Sequence, residues 1–154
     1  TVSNDGLVYV YVWAEDLLGN IGLAAYDSIV VDTQPPYEAS IIIENGALYT
    51  NDATPLLTLD ANDTTSPVQE MQFSCNTVVW SSAVAYATNY SGFDITGPGC
   101  SPGDGTKTVY VRFADAAGNW SSPVWDTIIY DLKNKKIVFF KSYFSRKLGR
   151  DRTK

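Results

Sequence analysis

The residues best placed to do chemistry in this sequence are acidic. Asp16-Leu17-Leu18-Gly19-Asn20 and Asp115-Ala116-Ala117-Gly118-Asn119 repeat one pattern, an Asp four positions ahead of an Asn with a Gly between them. Two chemistries suit it. In a tight turn, Asp accepts backbone N–H bonds while Gly and Asn tolerate positive φ. In a calcium site, Asp16, Asn20, Asp115 and Asn119 would supply side-chain oxygens beside backbone carbonyls. Asp60 and Asp63 make a further acidic pair open to the same reading. No EF-hand spacing accompanies any of these residues, which favours the turn.

Paired carboxylates also do general acid–base work. Here they stand without the rest of a catalytic apparatus. The chain has no His, which excludes His-based triads and His metal sites. No Gly-rich loop feeds a helix to cradle phosphate. The sequence is therefore read as non-catalytic and without an assigned cofactor.

Other residues point to binding or covalent modification. Trp80, Trp120 and Trp125 offer apolar ring faces suited to stacking on sugars, or equally to covering a core and pairing across strands. Asn62 and Asn89 head N-glycosylation sequons, and Asn119 heads a third. Cys75 and Cys100 are the only cysteines. Their spacing is not that of a CxxC redox pair or a zinc site, and in an oxidising compartment they pair as a disulfide. The loop so closed implies roughly 3–4 kcal/mol of stabilisation.

These residues must be positioned by strands. Residues 5–32 and 104–131 align without a gap at an offset of 99, and 11 of the 28 positions are identical, among them Asp5/Asp104, Tyr11/Tyr110, Asp27/Asp126 and Asp32/Asp131. Each stretch reads as two strands around the Asp-to-Asn turn, with apolar residues alternating along Val10, Val12 and Ala14 and along Val109, Val111 and Phe113. A repeat of this length matches one β-sandwich domain. Between the copies, alternation at 57–61 and 71–75 and short apolar runs at 40–43, 78–80, 83–86 and 93–95 give about seven strands separated by turn signals. The expected fold is all-β, an immunoglobulin-like antiparallel sandwich over 34–131. It is preceded at 1–33 by the C-terminal hairpin of a partial repeat and joined to it by Asp32-Thr33-Gln34-Pro35-Pro36, an extended linker. The chain starts inside a repeat and is read as a fragment of a longer exported protein.

Charge divides the chain. Residues 1–131 hold two basic side chains against 16 acidic ones, a balance of −14, whereas 132–154 balance at +8. An acidic body repels nucleic acid and anionic membranes, and no apolar run is long enough to span a bilayer. The basic tail 132–154 is read as a disordered end, or as a segment that binds an acidic surface.

The motifs MQFS at 71–74, WSS at 80–82, YAT at 86–88, DGTKTVYVRFADAAGN at 104–119 and NGALYTND at 45–52 resemble a bacterial and archaeal cell-surface module, the tandem Ig-like (fibronectin type III-like) repeat. The resemblance covers 36–131 fully and 5–33 in part. It implies an extracellular or cell-surface spacer or stalk module of an adhesin or surface-layer-like protein, with neighbouring Ig-like repeats as partners. The alternative is a carbohydrate-binding or adhesive module attached to a polysaccharide-acting enzyme and bound to cell-surface polysaccharide. The cysteines and the tail depart from the pattern.

Overall fold

The computed structural model describes residues 5–132, and the tail expectation falls outside them apart from Leu132. Ten strands follow in order: β1 (Gly6–Val12), β2 (Ala25–Val31), β3 (Tyr37–Ile43), β4 (Tyr49–Thr50), β5 (Leu57–Asn62), β6 (Val68–Ser74), β7 (Val84–Ala85), β8 (Asn89–Tyr90), β9 (Gly105–Asp115) and β10 (Val124–Tyr130). β1 and β2 form a two-stranded sheet of their own. The body holds a five-stranded sheet, β4-β10-β9-β6-β7, and a three-stranded sheet, β3-β5-β8. All pairings are antiparallel except β4 with β10.

The core lies between the two body sheets and follows from period-2 alternation. Leu57, Leu59 and Ala61 point inward from β5, Met71 and Phe73 from β6, and Val109, Val111 and Phe113 from β9; all are buried with Ile41, Ile43, Ile95 and Ile128. Phe73 stacks between Tyr90 and Phe93, with ring centroids 5.0 and 5.4 Å away. The fold is thus an all-β sandwich. Two expected strands do not form. Residues 93–95 form no strand, and at 78–80 only Trp80 bridges, to Ser74. In the first, Ile95 is held by one backbone bond to the Ala53 carbonyl and packs into the core from a loop. Asn45-Gly46 lies in a 3-10 turn in which Asn45 takes φ 53° and Gly46 φ 83°.

The repeat survives in atomic detail. β1–β2 and β9–β10 have the same register: Tyr11 faces Tyr26 as Tyr110 faces Trp125. Gly22 N–H donates to Ala14 O as Ser121 N–H donates to Phe113 O. Asp5 accepts from Thr33 N–H as Asp104 accepts from Leu132 N–H, 28 positions away in both copies.

Candidate functional site

Where the first hairpin meets the body, the chain gathers three carboxylates. Asp32 follows β2, Asp63 follows β5 and Asp115 ends β9, and one oxygen from each lies within 4.8 Å of the others. Each is built into its place by local hydrogen bonds. Asp32 accepts from Gln34 N–H at 3.1 Å and from the Ser66 hydroxyl at 2.5 Å. Asp63 accepts from Thr65 and Ser66 N–H at 2.9 and 3.0 Å, an Asx turn. Asp115 accepts from the backbone and side-chain N–H of Asn119, both at 2.9 Å. Asn119 then reaches across the joint, donating its side-chain N–H to the Asp32 carbonyl at 3.2 Å. The Asp-to-Asn turn of the second copy is therefore also the socket for the linker.

The electrostatics of this cluster are one-sided. The described residues contain two basic side chains, Lys107 and Arg112, and both are engaged elsewhere. Lys107 is 2 % exposed, donates to the Ser101 carbonyl and sits 5.6 Å from the Tyr130 ring centre. Arg112 is bonded to Gln72. Among the described residues, three carboxylates thus converge with no basic side chain to balance them. Hard oxygen donors suit calcium, and two oxygens bound to one ion at about 2.4 Å lie at most ~4.8 Å apart. The three oxygens are hard donors and close enough together to share one divalent cation.

The expected calcium residues divide on this geometry. Asp63, Asp115 and Asn119 belong to the joint. Asp60 does not: it lies exposed in β5 opposite Ser40. Asp16 and Asn20 serve their own turn, with Asp16 accepting from Leu18 N–H, Asn20 N–H and the Asn20 side chain. Those bonds, the Asn20 side chain foremost, hold the Asp16 carboxyl below the usual carboxylate range. Asp32 was legible only as an identity shared with Asp131, with nothing to mark it as a partner of Asp63.

The tryptophans split as well. Trp80 and Trp120 are half-buried, and the Arg112 guanidinium lies between them, 4.4 and 4.7 Å from their ring centres. Gln72 Oε1 fixes the guanidinium by accepting from Nε at 3.0 Å and Nη2 at 2.7 Å. Each Trp heads a Trp-Ser-Ser triplet, and the first Ser of each closes the turn: Phe73 N–H donates to Ser81 Oγ and Phe113 N–H to Ser121 Oγ, both at 3.0 Å. The doubled triplet was the signal for this sandwich, and the sequence reading passed over it. One ring face of Trp80 and of Trp120 is therefore taken by Arg112. Trp125 is 61 % exposed on β10.

No protein-family model matches this chain, and no curated protein matches it at a significant level. Cys75 and Cys100 form a disulfide. Asn62 and Asn89 are exposed, at the end of β5 and in β8, and the Asn62 side chain donates to Glu38 at 3.3 Å. A groove beside the linker, lined by residues that include Gln34, Pro36, Tyr37, Thr64 and Ser122, carries one carboxylate, Glu38. No helix among the described residues is long and apolar enough to cross a membrane.

Proposed function

We propose that this chain is a non-catalytic structural module of a secreted or cell-surface multi-repeat protein, an Ig-like spacer held in fixed orientation to its neighbours. The observation that carries the reading is the joint. Asp32, the residue that leaves one repeat, is bonded to Ser66 and Asn119 of the next, and its repeat mate Asp131 leaves the second copy at the same position. Pro35 and Pro36 stiffen the connection that follows. A divalent cation on Asp32, Asp63 and Asp115 would tie linker and body together and relieve the repulsion among them. The disulfide accords with an oxidising, extracellular compartment.

The experiment is to measure the orientation of the hairpin relative to the body in the full chain, by residual dipolar couplings, in calcium and in chelator. One fixed orientation, loosened by Asp32→Ala and tightened by calcium, supports the spacer. Independent tumbling of hairpin and body in both conditions refutes it.

One observation favours a second reading, carbohydrate recognition. Tyr9, Tyr11 and Tyr26 cluster on one face of the first hairpin with ring centroids 5.6–6.3 Å apart, all three at least half exposed. Aromatic faces with polar edges suit neutral sugars. Saturable binding of the full chain to insoluble polysaccharide, lost in Tyr11→Ala, would establish it. Retention by no polysaccharide in the panel would leave the spacer.

A further inference from the structure

The two faces of the β1–β2 hairpin are not equivalent, and the repeat identifies which is which. Val109, Val111 and Ile128 are 0, 0 and 1 % exposed in the body, whereas their mates Val10, Val12 and Ile29 are 62, 64 and 63 % exposed. Register, turn and closing hydrogen bonds are the same in both copies, so the difference lies in what covers the face. In the body the cover is known: β6 pairs along β9, and β3 and β5 close the core from the opposite sheet.

Asp27 makes the missing cover more specific. Its mate Asp126 accepts from Thr127 N–H through one oxygen and from the Ile43 N–H, at the end of β3, through the other, at 2.7 and 2.9 Å. Asp27 repeats the first bond, from Ser28 N–H at 2.7 Å, and no described residue donates to its other oxygen. A face-to-face pair of identical hairpins would set two such carboxylates into one apolar interface, where a charge without a donor is costly. A strand whose backbone N–H ends at Asp27 has no such cost.

We propose that the Val10–Val12–Ile29 face is the interior half of a second sandwich, and that it takes a strand set of the β3-to-β8 kind joined N-terminal to it in the same polypeptide. The inference rests on the tandem reading above. An intramolecular source follows from the body, where the covering strands precede β9 and β10 in one chain and so act at high effective concentration. Shifting the β6–β9 register by 99 positions sets the pairing on β1. A small polar residue falls opposite Tyr11, as Ser74 is opposite Tyr110, and large apolar residues fall opposite Val12 and Ala14, as Phe73 and Met71 are opposite Val111 and Phe113. The partner backbone also donates an N–H to Asp27.

The test extends the chain with its own strands. Residues 36–103 are placed directly ahead of residues 5–154, so that Asp5 occupies the position Asp104 holds in the body. The readout is amide hydrogen exchange in β1 and β2, with β9 as the internal standard. Protection of β1 and β2 should rise at least 100-fold over the original chain, and Val12→Asp should abolish it while leaving β9 unchanged. Because Ala14 stands where the body has Phe113, the extended chain is also made with Ala14→Phe to restore core volume. Unchanged exchange in both extended chains, with β9 protected, overturns the proposal. A dimer of the original chain that Val12→Asp abolishes would put a second copy on this face and overturn it equally. Neither result depends on the orientation at Asp32, so failure here is distinguishable from failure of the spacer reading.

Discussion

Arg112→Ala should cost the body about 2–3 kcal/mol. The guanidinium makes two cation–π contacts, to Trp80 at 4.4 Å and Trp120 at 4.7 Å, each worth about 0.5–1 kcal/mol at a half-exposed site. The paired hydrogen bonds to Gln72 Oε1 add about 1 kcal/mol once solvent screening is allowed for. The alkyl stem also covers part of both indoles, so truncation loses packing along with charge. At about 4–8 °C per kcal/mol for a domain of this size, the melting temperature should fall by roughly 10–20 °C. The assay is equilibrium urea unfolding of the full chain followed by tryptophan fluorescence, to which both rings involved contribute. Arg112→Lys distinguishes a planar, bidentate group from a point charge. An ammonium cannot stack flat between two indoles and form the fork to Gln72 as well, so lysine should recover less than half of the loss. A double-mutant cycle of Arg112→Ala with Trp120→Phe should show a coupling of about 0.5–1 kcal/mol. A loss below about 0.5 kcal/mol for Arg112→Ala, or full recovery by lysine, would refute the sandwich as a stabilising element and return both tryptophans to the list of sugar-stacking candidates.

Replacing Cys75 and Cys100 by Ser opens a loop whose ends are 25 positions apart, and should lower stability by about 3.5 kcal/mol. An unchanged urea midpoint would show that the loop is held closed by other contacts, such as Lys107 on the Ser101 carbonyl. Ser121→Ala strands the Phe113 N–H inside the core and should cost about 1–3 kcal/mol. Ser81→Ala, at a half-exposed turn that water can reach, should cost less; the reverse order in thermal melts would contradict the burial argument. Asp94 is held below the usual carboxylate range by the Thr96 hydroxyl, then by the Thr96 N–H, with a smaller contribution from the Lys107 charge. Because the folded value is the lower one, this contribution is present above the unfolded value near pH 4 and is lost as pH falls through the folded value. Asp94→Asn should therefore flatten the acid limb of the melting-temperature profile below about pH 4, and an unaltered limb would show that other carboxylates dominate it.

The hairpins, their register and the inward residues of β5, β6 and β9 were legible in the sequence because strand periodicity and turn chemistry are local. Val109, Val111 and Phe113 alternate with Tyr110 and Arg112, and a pleated strand has no choice but to send them to opposite faces. The 99-residue repeat carried the same information twice, which is why Asp16 and Asp115 were recognisable as turn residues. The cysteine pairing was legible by elimination, as two cysteines have one intramolecular partner each.

What only the tertiary structure decided are contacts between residues far apart in the chain. Nothing local links Asp32 to Asp63 and Asp115, which meet because β5 and β9 terminate where the linker begins. Asp60, three positions from Asp63, was the obvious partner by spacing, yet a strand sends it out to solvent while the following Asx turn bends Asp63 toward the joint. Arg112 and its two tryptophans come from three separate segments, brought together by the pairing of β6 with β9. Strand periodicity also does not separate Val10 from Val109, each of which is followed by Tyr-Val and alternates in the same way. One is in a core and the other in solvent because burial depends on the sheet that faces a strand, and that sheet is supplied by other parts of the polypeptide.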